Sequence, residues 1–391
     1  MRIVYYTFPS FLELSLHRIR SLSKHVELHV VVELPPEGRN SNILNIPHDK
    51  QFFNIIEPFN TLSEYFPEKV NDYWKDAASC NLAVYQEKKS VHPLTWYTSY
   101  QISSYIKKLK PDILFIEDIS LRFSWSICRL RNIPIVATIH DPVPHSGERN
   151  WRKGLAYRLV FKKITHFILM NSRLTTAFSD RYGITPDRIN TIPLGTYDIF
   201  REWIQTPVHT EQKTILFFGR LSVYKGIEVL YKAAPIVAEK IPDVNFVIAG
   251  KPVAGYSPSI PPKLSNNGRF EIIETYITNV HMAELFQRAR VVVCPYIDAT
   301  QSGVLLTAYA FNKPVIGTDT GGLAEYIWHQ KTGLLIPPSD KSALSQALID
   351  ILSDEKTIDT FESGIGEIKT KWLAWDRIAE KTIRIFKQNL I

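Results

Sequence analysis

The sequence predicts an α/β protein of two facing, doubly wound, Rossmann-like domains with a deep interdomain cleft, and three observations carry that prediction. Short apolar runs alternate with amphipathic stretches from end to end, the pattern of strand-helix-strand units and parallel sheets. A chain of 391 residues exceeds one ordinary core and suggests roughly two domains of about 150 to 200 residues each. The alternation also restarts at residues 213–219, after a polar and weakly periodic stretch, 197–212, that contains Pro207.

The expected strands of the first half are 2–7, 26–33, 112–117, 133–140, 166–171 and 189–194. Those of the second half are 214–219, 244–250, 270–275, 291–296, 314–319 and 333–337. The interdomain linker is placed in 197–212. Residues 34–93 alternate poorly and are rich in proline, asparagine and aromatics, so they give no firm elements. After Trp372 and Trp375 the chain ends in an amphipathic helix with Ile378, Thr382, Ile385 and Phe386 at helical spacing. The expected domains are 1–197 together with the terminal helix 374–391, and 198–373.

A hydrophobic content of 45% with 22% charged residues excludes disordered, collagen-like and coiled-coil chains. The net charge of +7 sits in one half: residues 1–197 hold 25 Lys and Arg against 18 Asp and Glu, and residues 198–391 hold 21 against 21. A basic domain favours anionic partners, whether nucleic acid, an acidic membrane surface or a phosphorylated acceptor; a solvated basic face accounts for the charge equally well. Cys80, Cys128 and Cys294 lie far apart without metal-ligand or disulfide spacing, which fits a reduced compartment. The N-terminus reads as a first strand rather than a signal peptide, and no run approaches the ~20 apolar residues of a membrane span. The expected location is cytoplasmic, with peripheral attachment to the inner membrane face as the option that the charge raises.

The strongest local motif runs from Phe218 through Gly219, Arg220, Lys225 and Gly226, where a strand ends at a glycine and a helix begins. Ligands of open α/β sheets bind beyond the carboxyl ends of the strands, and a helix N-terminus there offers N–H groups to phosphate. Arg220 as a planar fork and Lys225 as a point charge would neutralise a pyrophosphate; two surface cations at a turn is the plainer reading. A second strand-to-helix junction, 296–307, carries Asp298, Thr300, Gln301, Ser302 and Gly303, small and polar residues suited to phosphate and sugar hydroxyls, and it should face the Arg220 loop. In a third, Gly321 and Gly322 are read as shaping a tight turn. No Asp-x-Asp pair and no His-Glu cluster is present, so neither a metal nor another cofactor is expected.

Taken in order, Gly219-Arg220, Lys225-Gly226, Glu274 to Ile277, Gln301-Ser302-Gly303, Lys313 to Ile316, Gly321-Gly322 and Gly333-Leu334 resemble glycosyltransferase family 4, retaining enzymes of the GT-B fold. The resemblance implies a donor domain at 198–373 and an acceptor-side domain in the first half. It implies that Arg220 and Lys225 grip the diphosphate of a UDP- or GDP-sugar, that Tyr276 and Ile277 lie against the nucleobase, and that Gln301 to Gly303 contact sugar and phosphate. The family commonly carries two glutamates with seven residues between them; here those positions are Ala299 and Thr307, with Asp298 beside the first, which leaves Thr307 for the ribose. The Gln-Ser-Gly form of the loop resembles a branch that assembles surface polysaccharides.

In the first half, His140 ends an apolar strand, so its ring is expected to emerge at the cleft mouth, its tautomer fixed by Asp141 or a backbone carbonyl. Family members often have a histidine here that contacts the donor sugar. His145, Glu148 and Arg149 follow on the loop and are expected on the acceptor side. Ser10 reads as a helix N-cap. A basic and aromatic stretch, Trp151, Arg152, Lys153, Tyr157, Arg158, Phe161, Lys162 and Lys163, either lies on an anionic membrane or is an exposed helix whose aromatics pack inward. The expected activity is transfer of a hexose from a nucleotide sugar to a glycan or lipid-linked hydroxyl, with retention. A nucleotide-sugar epimerase and a non-catalytic binding partner of the same fold are the rivals, and a nucleic-acid binder would explain the charge but not the ordered motifs.

Overall fold

The computed structural model describes residues 1–390 apart from Cys128, Arg131, 143–153, Leu155, Ala156, Leu159, 257–268 and the Trp125 side chain. The chain divides into two compact units, Met1–Gly195 with Trp375–Ile391, and Thr196–Ala374.

The first unit is built on β1 (Arg2–Thr7), β2 (Glu27–Leu34), a short hairpin of β3 (Asn40–Ser41) and β4 (Leu44–Asn45), then β5 (Ile56–Pro58), β6 (Ser79–Val84), β7 (Ile113–Glu117), β8 (Ile135–Ile139), β9 (His166–Leu169) and β10 (Ile189–Thr191). Its main sheet has the order β10-β9-β8-β7-β1-β2-β6-β5, parallel except for the antiparallel edge strand β5. β1, β7 and β8 are buried along almost their whole length, because helices cover both faces of a parallel sheet, and this is why they read as continuous apolar runs. From β1 the chain winds outward through β2 and β6, then returns to β7 and winds the other way. The switch point between β1 and β7 opens a crevice at their carboxyl ends.

Four strands, β3 to β6, were not legible in residues 34–93. β6 pairs with β2 over six residues, from His29 with Ser79 to Leu34 with Val84, but only its last three residues are buried, and its Ser-Cys-Asn start carries no apolar signal. Ser10 is not the N-cap of the first helix. Pro9 starts a 3-10 turn, Pro9–Phe11, one residue earlier, and the helix Leu12–Leu22 follows with Phe11 at its N-cap position and no side-chain cap.

The second unit carries β11 (Thr214–Phe218), β12 (Asn245–Ala249), β13 (Phe270–Ile273), β14 (Val291–Cys294), β15 (Val315–Thr318) and β16 (Gly333–Ile336), all parallel, in the order β13-β12-β11-β14-β15-β16. Its switch point lies between β11 and β14. One face of the sheet packs Phe217, Phe246 and Ile248 against Leu230 and Val237 of the helix Ile227–Lys240 and Leu344 and Leu348 of the helix Lys341–Ser353. The stretch 197–212, expected as a linker, is folded into this unit: Asp198–Trp203 forms a 3-10 helix, and Lys369 reaches Asp198 at 3.0 Å. Its lack of periodicity reflects a short helix pinned by Tyr197, Ile199 and Phe200, all buried.

The last helix, Trp375–Gln388, returns to the first unit. The Trp375 ring stacks on His17 with centroids 5.0 Å apart, Phe386 meets Phe115 at 5.2 Å, and Lys24 pairs with Asp376 at 2.7 Å. Among the described residues no helix is long and apolar enough to cross a membrane.

Candidate functional site

In the second unit the carboxyl ends of β11 and β14 carry the expected motifs. After β11 the chain passes Gly219, the exposed Arg220 and a 3-10 turn, Val223–Lys225, before the helix that starts at Ile227. Gly226 holds φ at +66°, and a β-carbon there would stand 1.9 Å from the Pro295 carbonyl oxygen, so only glycine lets this loop lie against the end of β14. The amide of Ile297 donates to the Tyr224 carbonyl at 2.8 Å and joins the two loops.

Lys225 is only 9% exposed, with its ammonium 3.7 Å from the centroid of the Tyr296 ring and 5.2 Å from that of Tyr224. Tyr296 in turn places its hydroxyl 3.1 Å from Ser302 Oγ, which also accepts from the Leu305 amide and caps the helix Gly303–Ala310. That chain of contacts brings Lys225, Ser302 and Gly303 together. Gly219 abuts the same helix, since a β-carbon on it would lie 3.3 Å from Val304. The expected facing of the two loops is therefore present.

Among the described residues neither Arg220 nor Lys225 is paired with a carboxylate. Between them Ser222 Oγ is buried without a hydrogen-bond partner among those residues, a group the sequence did not single out because a serine in a turn is ordinary. Two cations, an unused hydroxyl and the first-turn N–H groups of a capped helix at one switch point can hold a diphosphate. Burial lowers the Lys225 ammonium to about 8, against the pull of Cys294 and with a smaller push from Arg220. An ammonium with a depressed pKa loses its charge as pH rises through that value. Binding of inorganic pyrophosphate, followed by calorimetry, is expected to weaken as pH rises through and above about 8, and Lys225→Arg is expected to flatten the profile because a guanidinium stays charged.

The other expected contacts divide. Tyr276 is exposed and Ile277 half-buried just beyond β13, so the segment is open to a flat ligand. Asp298 and Gln301 are half-buried on the loop after β14. Thr307 departs from expectation: it is 4% exposed and its hydroxyl donates back to the Gly303 carbonyl at 2.9 Å, so its proton is committed within its own helix and is not offered to a ribose. Gly321, at φ +46°, would drive a β-carbon to 1.5 Å from the Ala299 carbonyl oxygen, so its part is to let the two backbones touch.

The first unit has its own polar constellation at the β1/β7 switch point. His140 does not emerge: it is 5% exposed, and Phe11 from the first strand-to-helix loop stacks on it with ring centroids 3.8 Å apart. Its Nε2 lies 2.7 Å from Glu117 Oε1, so a carboxylate at the end of β7 holds that nitrogen, a partner the sequence reading did not weigh. The Tyr5 hydroxyl donates to Glu117 Oε2 at 2.5 Å, and Arg18 Nε lies 3.2 Å from the same oxygen without an aligned hydrogen bond. Burial pushes the Glu117 carboxyl up, but Arg18, His140 and Tyr5 together outweigh it and hold the group below its ordinary value. Beside them Glu13 is buried and raised to about 7 by that burial, against the Asn42 amide and the His140 charge that lower it. Glu117, Arg18 and Glu13 went unread because Glu117 ends an apolar strand while Glu13 and Arg18 sit on the first helix, about 100 residues earlier, and only the fold converges them.

His145, Glu148 and Arg149, with Trp151, Arg152 and Lys153, lie outside the described residues. Of the rest of that stretch, Tyr157 and Phe161 are buried in the core while Arg158, Lys162 and Lys163 are exposed, which is the inward-packed alternative for those residues. No group of three His, Cys, Asp or Glu side chains converges among the described residues.

Residues 212–354 match the family model for glycosyl transferases group 1, and residues 83–197 match that for glycosyltransferase family 4. An uncharacterized glycosyltransferase of Methanocaldococcus jannaschii is 25% identical over 78% of this chain and 84% of its own length. A phosphatidyl-myo-inositol mannosyltransferase of Mycobacterium leprae is 24% identical over 67% of this chain and 69% of its own. Among solved structures, Anabaena HepE in complex with UDP superposes with a TM-score of 0.68 at 15% identity, covering 99% of this chain and 100% of that one. At that identity the likeness shows a shared fold.

Proposed function

The chain belongs to the glycosyltransferases of group 1 and family 4, with the GT-B fold and a nucleotide-sugar donor, and from that premise we propose that it moves a hexose to a hydroxyl of a glycan or lipid-linked acceptor with retention at the anomeric carbon. The observation that carries the donor half of this reading is the pair of cations at the β11/β14 switch point with no carboxylate partner among the described residues. Arg220 takes a phosphate oxygen pair as a planar fork, Lys225 supplies a point charge from its seat on Tyr296, and the Ser222 hydroxyl adds a donor. Their positive charge is worth most when negative charge builds on the departing diphosphate, which makes their contribution chiefly electrostatic. Tyr276 and Ile277 lie along the base of a UDP- or GDP-sugar, and Asp298, Gln301, Ser302 and Gly303 contact sugar and phosphate. These groups meet the diphosphate charge without a metal ion or other cofactor.

The acceptor reading draws on the basic first half and on the M. leprae relative, whose name specifies a phosphatidyl-inositol acceptor. It places the protein at the cytoplasmic face of a membrane, in assembly of a surface polysaccharide or glycolipid. The test is product analysis by NMR with UDP- and GDP-hexoses. Transfer that preserves the donor's anomeric configuration is expected. An inverted linkage contradicts retention, release of an epimerised free sugar from donor alone identifies an epimerase, and an untouched donor identifies a binding protein.

A further inference from the structure

Resting on the lipid-linked acceptor proposed above, we propose that the outer face of the helix Pro93–Lys108 is the surface by which this protein docks on an anionic lipid membrane. The helix buries Thr95, Thr98, Ser99, Ile102, Ser103 and Ile106, which at 100° per residue lie on one side. The opposite side carries three large aromatics in its N-terminal half and two lysines at its C-terminal end. Trp96 is 45% exposed, Tyr97 56% and Tyr100 46%, with Val91 at 65% and Leu94 at 49% beside them. Arg129 lies over the Tyr100 ring, 3.8 Å from its centroid. A surface helix ordinarily turns such rings inward, as Tyr157 and Phe161 are turned.

The charge around this face selects the occupant. Residues 88–110 contain five lysines, Lys88, Lys89, Lys107, Lys108 and Lys110, all exposed, and no carboxylate. A second copy docked face to face would set lysine against lysine, which disfavours a symmetric dimer. An anionic bilayer surface complements both features, because tryptophan and tyrosine settle at the headgroup level while lysines reach lipid phosphates. The placement suits the acceptor. The helix follows β6 and precedes β7, so its aromatic end stands at the carboxyl-terminal edge of the sheet, the edge that carries Glu117 and His140.

Co-sedimentation of the full chain with phosphatidylcholine vesicles, with and without an equal share of phosphatidylglycerol, tests this. Wild type is expected to bind the mixed vesicles at low salt, to leave them as salt is raised and to ignore pure phosphatidylcholine. Replacing Trp96, Tyr97 and Tyr100 with serine, or the five lysines with glutamine, is expected to lower partitioning by about tenfold or more. Changing Arg158, Lys162 and Lys163 to glutamine is expected to leave most of it. A blue shift of Trp96 fluorescence on vesicle addition, absent in Trp96→Phe, places the ring in lipid without relying on a multiple variant. Wild type that does not bind at low salt, an aromatic variant that binds like wild type, or a dimer that the aromatic variant dissociates overturns the proposal. Donor-dependent thermal stabilisation without vesicles reads the transferase proposal separately. It is expected in wild type and in all three multiple variants, and its absence from wild type contradicts that proposal while leaving the vesicle result to stand.

Discussion

Replacing Arg220 and Lys225 together with alanine is expected to lower kcat/KM for sugar transfer by about 10² to 10³, a loss of roughly 3 to 4 kcal/mol of transition-state stabilisation. A departing nucleoside diphosphate gains negative charge as the glycosidic bond breaks, and among the described residues no carboxylate competes for these two cations at the β11/β14 switch point. Arg220 is exposed and free to close on a ligand, whereas Lys225 is fixed by the Tyr296 ring and by burial. The loss is therefore expected to divide unequally, with Arg220→Ala raising KM as well as lowering kcat and Lys225→Ala acting mainly on kcat. Steady-state kinetics of both single variants and the double variant check this, and unchanged turnover in the double variant contradicts the assignment.

Glu117→Gln is expected to destabilise the first unit by about 3 to 5 kcal/mol, lowering its melting temperature by roughly 6 to 20 °C, because it leaves Arg18 buried as an uncompensated cation. Arg18 is 2% exposed and none of its guanidinium nitrogens has an aligned hydrogen bond among the described residues, so Glu117 is its charge partner. The pH dependence follows from the direction of the shift. Glu117 is held below its ordinary value in the folded state, so its contribution is present above the unfolded carboxylate pKa, about 4.3, and is lost as pH falls through the lower folded value. The gap between wild type and Glu117→Gln is expected to be full at neutral pH and to narrow in acid, as read by calorimetric melting. A gap that does not change with pH would assign the loss to packing rather than to charge.

The fold and the meeting of the Arg220 loop with the 296–307 loop were legible for physical reasons that do not extend to the rest of the candidate site. Parallel strands buried on both faces must be apolar throughout, so β1, β7, β8 and β11 declare themselves, and a strand ending in glycine before two cations marks the loop that packs against the end of β14. β6 did not, because its first half is polar and its identity comes from pairing with β2. The Glu117, His140, Tyr5 and Arg18 cluster is assembled from β7, the end of β8, β1 and the first helix, with members as far apart in sequence as Tyr5 and His140, and no local pattern encodes it. The basic and aromatic stretch at 151–163 shows the converse limit. Composition reported rings beside charges, but which way a ring turns depends on the core it meets, and Tyr157 and Phe161 turn inward whereas Trp96, Tyr97 and Tyr100 do not.

The central claim, a nucleoside diphosphate sugar held by the second unit through Arg220 and Lys225, is tested most directly by calorimetric melting with a panel of UDP- and GDP-sugars. A donor present at about 100 times its dissociation constant is expected to add roughly 2.7 kcal/mol to the stability of wild type. The account predicts that gain for one donor class and its loss in Arg220→Ala and Lys225→Ala. Stabilisation that persists in both variants, or that no nucleotide sugar produces, would contradict it.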